Sequence, residues 1–503
     1  MQNWFLRTAE RGNPATGLDR ADGTAWSSGN EVRAVIDGAE LFARLRAELA
    51  DVRRGDQIYF AAWTGTPQQR LGEDGPTIAE AFAGALTAGA HVHALFWCPY
   101  VDLQKDFVPE NREFAAMLRA LGGSAVLDQR LRAVGSHHQK FLVIRRPGRP
   151  EQDVAFVGGI DPCPSRRDDT AHDGDPQVQD SIAPVYGQRP AWHDAHVQLR
   201  GPAVADVERC FRERWEDSTS LRRLPFRRPR RGSGSSTVEL PEPQPVPPEC
   251  GHDHVQVLRT YPKKTPPYPF APRGEDSIAR AYRKVLRAAE DFVYVEDQFL
   301  WSPMVAEEFA AALRRNPRLR LVAVLAARPD RAEPSQVAVS DLARGKAVQL
   351  LRRAGGRRFA CYELVHPTDR PIFVHSKVCV VDDAWATVGS GNLNRRSWTY
   401  DSELNAAVVS DGAEPFAARL RRQLWREHTG REDLPDDPQA GIEAMRECAE
   451  ALDRWYEGGR SGPRPGGFLR THVPPRVSAL TKLWAVPAAR LLFDPDGRPG
   501  RFR

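Results

Sequence analysis

Two triplets of the form His-x-Lys mark this chain, His138-Gln139-Lys140 and His375-Ser376-Lys377. Of 503 residues only 8 are lysine and 13 are histidine, so random placement does not account for two such triplets. In extended backbone residues i and i+2 face the same side, and each triplet therefore presents an imidazole beside a fixed positive charge. Two such pairs facing one cleft could carry out an in-line attack on a phosphodiester. One imidazole would attack phosphorus, the opposed one would protonate the leaving oxygen, and the lysines would neutralise the non-bridging oxygens. That chemistry requires no metal.

The surroundings of the triplets repeat as well. His138 is followed by Phe141-Leu142-Val143-Ile144 and Phe156-Val157-Gly158-Gly159-Ile160-Asp161; His375 is followed by Val378-Cys379-Val380-Val381 and Val388-Gly389-Ser390-Gly391-Asn392. The chain reads as an internal duplication with His and Lys on a strand in each half. Upstream, strands over 57–63 and 92–97 flank a helix over 77–88, and strands over 292–298 and 319–326 flank a helix over 304–314. Strands alternating with helices imply an α/β fold, a parallel or mixed sheet with helices on its faces. Two units of this size each bury a core of their own.

Composition sets the context. Seven scattered cysteines and no signal-type leader after Met1 predict a reduced, cytoplasmic protein without disulfides. No apolar run is long enough to cross a bilayer, and a net charge of +5 does not announce a nucleic-acid binder. The excess of arginine over lysine points to a GC-rich, bacterial coding sequence. Arginine pairs from Arg222 to Arg231, a Gly/Ser run and a proline-rich stretch read as a solvated connector. The expected organisation is a first lobe over 1–217, a connector over 218–250, a second lobe over 251–432 and an extension over 433–503, irregular after Gly430.

The second motif, His375-x-Lys377 followed by Asp382, Gly389, Ser390 and Asn392, resembles the signature of the phospholipase D superfamily. Gly135 to Lys140, Phe156 to Asp161, Trp192 to His196 and Tyr294 to Gln298 are similar to stretches of phospholipase D proper, and the likeness covers roughly residues 30 to 430. The resemblance implies two similar α/β lobes, each a mixed sheet flanked by helices, related by a pseudo-twofold axis with the active site between them. It implies a phosphohistidine intermediate with His138 as nucleophile and His375 as general acid and base. Lys140, Lys377, Asp382, Ser390, Asn392 and Asp161 complete the expected site.

The halves are not equivalent. Arg145 stands where the second motif has Asp382, with Asp153 as the candidate replacement, and Gly159 and Asp161 stand where Ser390 and Asn392 do. Asp194 and Glu403 occupy matching places in the repeat, and a carboxylate behind an imidazole fixes its tautomer; Asp194 is assigned to His138 and Glu403 to His375. Cys250-x-His252-x-His254 and His91-x-His93 lack further ligands at zinc spacing. Asp168, Asp169, Asp173 and Asp175 form an acidic loop. Trp484 with Leu480, Leu483 and Leu491 reads as core packing rather than as a membrane anchor, because Pro487 interrupts the stretch.

The expected function is cleavage or exchange of phospholipid head groups, with water or an alcohol as acceptor, by a monomer in peripheral contact with the membrane. No cofactor is required, and there is room for calcium at the lipid surface. The alternatives are a nuclease acting on nucleic acid, disfavoured by the few aromatics near the connector arginines, and a non-catalytic phospholipid-binding module, disfavoured because binding needs charge but not two imidazoles.

Overall fold

The computed structural model describes all residues except 2, 21, 100–106, 180–181, 220–235, 237, 331–333, 476, 479–480, 482–484, 486–492 and 498–503. The connector arginines Arg222 to Arg231 and the cluster Leu480, Leu483, Trp484 and Leu491 lie outside the described residues.

The first lobe contains strands β1 (Ser27–Ile36), β2 (Gln57–Ala62), β3 (His91–Trp97), β4 (Ser124–Asp128), β5 (Phe141–Arg145), β6 (Val154–Gly158), β7 (Trp192–His193) and β8 (Ala195–Arg200). The second contains β9 (Asp253–Tyr261), β10 (Glu275–Asp276), β11 (Phe292–Asp297), β12 (Arg320–Leu325), β13 (Phe359–Val365), β14 (Pro371–Val374), β15 (Val378–Val381), β16 (Trp385–Gly389) and β17 (Glu403–Ser410), with β18 (Leu469–Thr471) from the extension. Pairing gives the order β1-β8-β6-β5-β2-β3-β4 in the first sheet. The second repeats it as β9-β17-β16-β15-β11-β12-β13, and β18 adds to β13. In each sheet the last three strands of that order run parallel and the rest antiparallel. The duplication is thus a duplication of topology.

Sequence explains the strand type. Gln57–Ala62 and Phe292–Asp297 are buried along their whole length, as expected for strands covered on both faces. Helices Asp37–Ala50 and Ile78–Thr87 cover the outer face of the first sheet, and Ser277–Ala288 and Pro303–Arg315 that of the second. Thr77 and Glu80 form a reciprocal capping box at the start of Ile78–Thr87. A third core lies between the sheets, where Val143, Val157 and Val197 of one lobe join Val380, Val388 and Ala406 of the other.

The seam between lobes is closed by backbone as well as side chains. β1 pairs with β9, and β7 with β14. The extension is not irregular: helix Pro438–Glu457 follows Gly430, buries Ile442, Met445 and Leu452, and is capped by Asp437, whose carboxylate accepts the Ala440 amide. Asp437-Pro438 is a cap followed by proline in the first turn, a start signal present in the sequence.

Candidate active site

The His-x-Lys triplets lie in extended backbone just ahead of β5 and β15 rather than inside a strand. The alternation still holds, and it anchors each triplet. The buried Gln139 points away from His138 and donates to the Glu403 carbonyl at 3.1 Å, and the Ser376 hydroxyl donates to Glu296 at 2.6 Å.

Both triplets are tied to the opposite lobe. The His138 amide donates to the Ser402 carbonyl at 2.9 Å, and the Ser402 amide to the Ser136 carbonyl at 2.8 Å. In the other half the His375 amide donates to the His193 carbonyl at 2.8 Å. Each imidazole is thereby placed beside the carboxylate one residue further on. His138 Nδ1 lies 2.9 Å from Glu403 Oε2, and His375 Nδ1 lies 2.6 Å from Asp194 Oδ2. The assignment of Asp194 to His138 and Glu403 to His375 is corrected: the pairs cross. Alignment of the halves correctly identified both carboxylates, but a repeat relates equivalent positions and does not say whether contacts run within or between lobes.

The tautomer of His138 follows from geometry. Nδ1 is also 3.1 Å from the Ser390 carbonyl, which can only accept, so Nδ1 carries hydrogen and Nε2 the lone pair. Burial first, then the charges of Lys140 and Lys377, push His138 well below an ordinary histidine pKa; burial and Lys377 push His375 down as well, against the pull of Asp194. The two carboxyls differ. Burial pushes Glu403 up to about 7 although Ser390 and Ser397 donate to it, whereas Asp194 stays ionised despite its burial because His375 and Lys377 hold it low.

This difference accounts for Gly159 standing where the second half has Ser390. A Cβ on Gly159 would lie 2.1 Å from Asp194 Oδ1, while the longer Glu403 leaves space for the Ser390 hydroxyl at 2.6 Å. Lys140 pairs with Asp161 at 3.2 Å, and Asp161 also accepts the Trp63 amide. Lys377 donates to the His375 carbonyl and to Gln298 at 3.5 Å; burial lowers it to about 8. A cavity between the lobes is lined by His138, Asn392, Trp63, Trp97, Phe299 and Trp301 among others. Stacked rings, Trp63 on Trp97 at 5.3 Å and Phe299 on Trp301 at 4.1 Å, form part of that lining.

Asp382 is not among these groups. At φ 53° it turns away after β15, and its carboxylate accepts the amides of Glu290, Asp291 and Phe292, fixing the start of β11. Its expected place in the site is corrected to a structural one. Asp153 likewise pairs with Arg145 at 2.7 Å and accepts the Arg146 amide. Behind His138, the buried His137, Arg130 and Arg214 all contact Asp128.

Sequence reasoning did not give roles to His193 or Glu296, yet they lie directly behind the site. His193 Nε2 is 2.9 Å and His428 Nε2 2.8 Å from the two Glu296 oxygens, and His193 Nδ1 is 2.8 Å from Glu427. Ligand atoms of Asp37, His172, His193 and Glu427 lie within 4.8 Å of one another. Two imidazoles with two carboxylates could hold a divalent cation. The Trp192-His193-Asp194 and Glu427-His428 runs were the available signal. The acidic loop does not converge: Asp168 accepts the Trp192 amide, Asp175 pairs with Arg167, and Asp173 faces His366. His93 stacks on Tyr59 while His91 is exposed, and His254 bonds Ser28 and Asp411. All seven cysteines are free thiols.

A family model described as phospholipase D matches residues 120–308, and one described as cardiolipin synthase, PLD-like domain matches residues 282–427. Phospholipase D alpha 1 of Brassica oleracea var. capitata is 24% identical over 67% of this chain and 54% of its own length. Phospholipase D alpha 1 of Arabidopsis thaliana is 25% identical over the same shares. The chain thus spans about half the length of these relatives. Among solved structures, phosphatidylserine synthase of Haemophilus influenzae Rd KW20 superposes with a TM-score of 0.54 at 14% identity, covering 84% of this chain and 94% of that one, a likeness of fold.

Proposed function

The chain belongs to the phospholipase D superfamily, and on that premise we propose that it cleaves or exchanges phospholipid head groups through a phosphohistidine. The observation that carries the reading is the pair of imidazoles, each with Nδ1 engaged by a carboxylate of the opposite lobe. That leaves Nε2 of each for chemistry.

His138 Nε2 attacks phosphorus and the bond to the head-group oxygen breaks. His375 gives its proton to that oxygen. In the second half-reaction neutral His375 takes a proton from water or an alcohol, whose oxygen attacks phosphorus and releases His138. Lys140, Lys377 and Asn392 stabilise the non-bridging oxygens. The anionic substrate offsets the Lys377 charge that depresses His375, so its binding favours the imidazolium the first step needs.

The different carboxyls support unequal roles. Ionised Asp194 favours a His375 that carries a proton; Glu403, pushed up to about 7, is the weaker counter-charge beside the nucleophile. In this reading the chemical step draws on no metal, no cofactor is required, the enzyme acts as a monomer, and the lipid surface is its peripheral partner, with room for calcium there. Head-group release from a panel of phospholipid vesicles, run beside cleavage of single-stranded and duplex DNA, tests the proposal. Release from lipid is expected; cleavage of DNA alone would replace it with the nuclease reading.

A further inference from the structure

Two residues beyond each crossing carboxylate stands a buried polar side chain that makes the same contact in both halves, although its type differs. Glu403 and Asn405 are alternate residues of β17 and face one way; Asp194 and His196 hold the matching places in the first half. Asn405 lies opposite Gly389 and His196 opposite Gly158, the last residues of β16 and β6. From there Asn405 Oδ1 accepts the Gly391 amide at 3.0 Å, and His196 Nδ1 accepts the Ile160 amide at 3.3 Å. Those amides belong to the residues immediately before Asn392 and Asp161. The approach is close enough to require both glycines: a Cβ would lie 2.4 Å from Asn405 Oδ1 in one half and 2.3 Å from His196 Nδ1 in the other.

We infer that His196 and Asn405 are a matched pair of positioning residues, which hold the two loops that bring Asp161 and Asn392 to the bound phosphodiester; the inference rests on the phosphodiester reading above. Each acts through a neighbour. Asp161 fixes Lys140 at 3.2 Å, and His196 lines one small cavity together with that pair. Asn392 lines the catalytic cavity with His138. Burial pushes His196 down to about 3, so its ring stays neutral and Nδ1 keeps the lone pair that the amide needs. Gly391 and Ile160 are both buried, and an amide left there without an acceptor would draw its loop out of place. A side chain present only to fill space would need no acceptor aimed at that amide, and here two unlike side chains each supply one.

The test uses full-length protein and the soluble diester bis(para-nitrophenyl) phosphate, with the thermal midpoint measured beside kcat. His196→Ala removes the acceptor and should lower kcat roughly tenfold. His196→Asn restores an acceptor of the kind the second half uses and should recover most of that loss. Both variants lose imidazole volume, so both midpoints should fall; a rate that follows the acceptor rather than the midpoint is the signature of positioning. In the second half Asn405→Ala should also lower kcat roughly tenfold, and adding it to Asn392→Ala should cost nothing further, because the one residue acts through the other. If His196→Ala fails to fold, that cycle decides. Rates that track the midpoint in both His196 variants would overturn the inference, as would full additivity of Asn405→Ala with Asn392→Ala. No turnover of any diester by the wild type would instead remove the catalytic reading beneath it.

Discussion

Glu403 reaches His138 across the lobe seam at 2.9 Å, and Asp194 makes the reciprocal crossing to His375 at 2.6 Å. Neither lobe therefore holds a complete imidazole and carboxylate pair of its own. Because Asp194 is ionised while Glu403 is pushed up to about 7, removing the charge should cost unequally. Asp194→Asn is expected to lower kcat by about 10²–10⁴-fold on an alkyl head group, and Glu403→Gln by less. Steady-state kinetics on folded variants checks this, and equal losses would contradict the asymmetry.

His138→Asn should abolish both turnover and the phosphoryl adduct. His375→Asn should still form the adduct from a substrate with a para-nitrophenolate leaving group, which needs no proton. Rapid acid quench followed by peptide mass spectrometry locates the phosphate, and an adduct on residue 375 alone would reverse the roles.

The buried Asp128 contacts His137, Arg130 and Arg214 directly behind the nucleophile. Removing one partner leaves buried charge uncompensated, at a cost of about 3–5 kcal/mol. Asp128→Asn should accordingly lower the denaturant midpoint with little change in the slope. An unchanged midpoint would mean the network contributes nothing.

Much of this organisation was legible in the residues, for a physical reason. Continuous hydrophobic runs such as Phe141-Leu142-Val143-Ile144 report strands covered on both faces, and the duplicated His-x-Lys spacing reports chemistry. What failed was long-range or backbone-dependent. The crossing of Asp194 and Glu403 depends on the Ser402 and His193 carbonyls meeting the opposite triplet, which no local pattern encodes. Asp382 carries the motif's identity but turns at positive φ to cap the Phe292 amide. The helix Pro438–Glu457 was missed although Asp437-Pro438 announced it.

Exhaustive chelation should leave the chemical step on bis(para-nitrophenyl) phosphate nearly unchanged, because in the proposed reading the lysines carry the charge stabilisation. An ion held by Asp37, His172, His193 and Glu427 would bind by displacing protons from the imidazoles. Its removal should therefore register as a lower thermal midpoint, recovered on adding a divalent ion and absent in His172→Ala. Loss of all activity on the soluble diester, restored by the ion without any change in midpoint, would put a metal in the chemical step.

The pH profile follows from burial and the two lysines. His138 and His375 are both held well below an ordinary histidine pKa, by burial first and then by neighbouring positive charge. Below its own pKa His138 is protonated and cannot attack; above its own, His375 has no proton for the leaving oxygen. The productive form of the free enzyme, neutral His138 with protonated His375, is therefore most abundant on the acid side of about 6.5, the unperturbed histidine value. kcat/KM on an alkyl head group should fall as pH rises through neutrality, and more steeply near 8, where Lys377 loses its charge. The substrate anion offsets the lysines, so the profile of kcat should lie at higher pH than that of kcat/KM. Asp194→Asn removes the charge that supports the His375 proton and should move the descending limb of kcat/KM further toward acid; movement toward base would contradict the role assigned to His375.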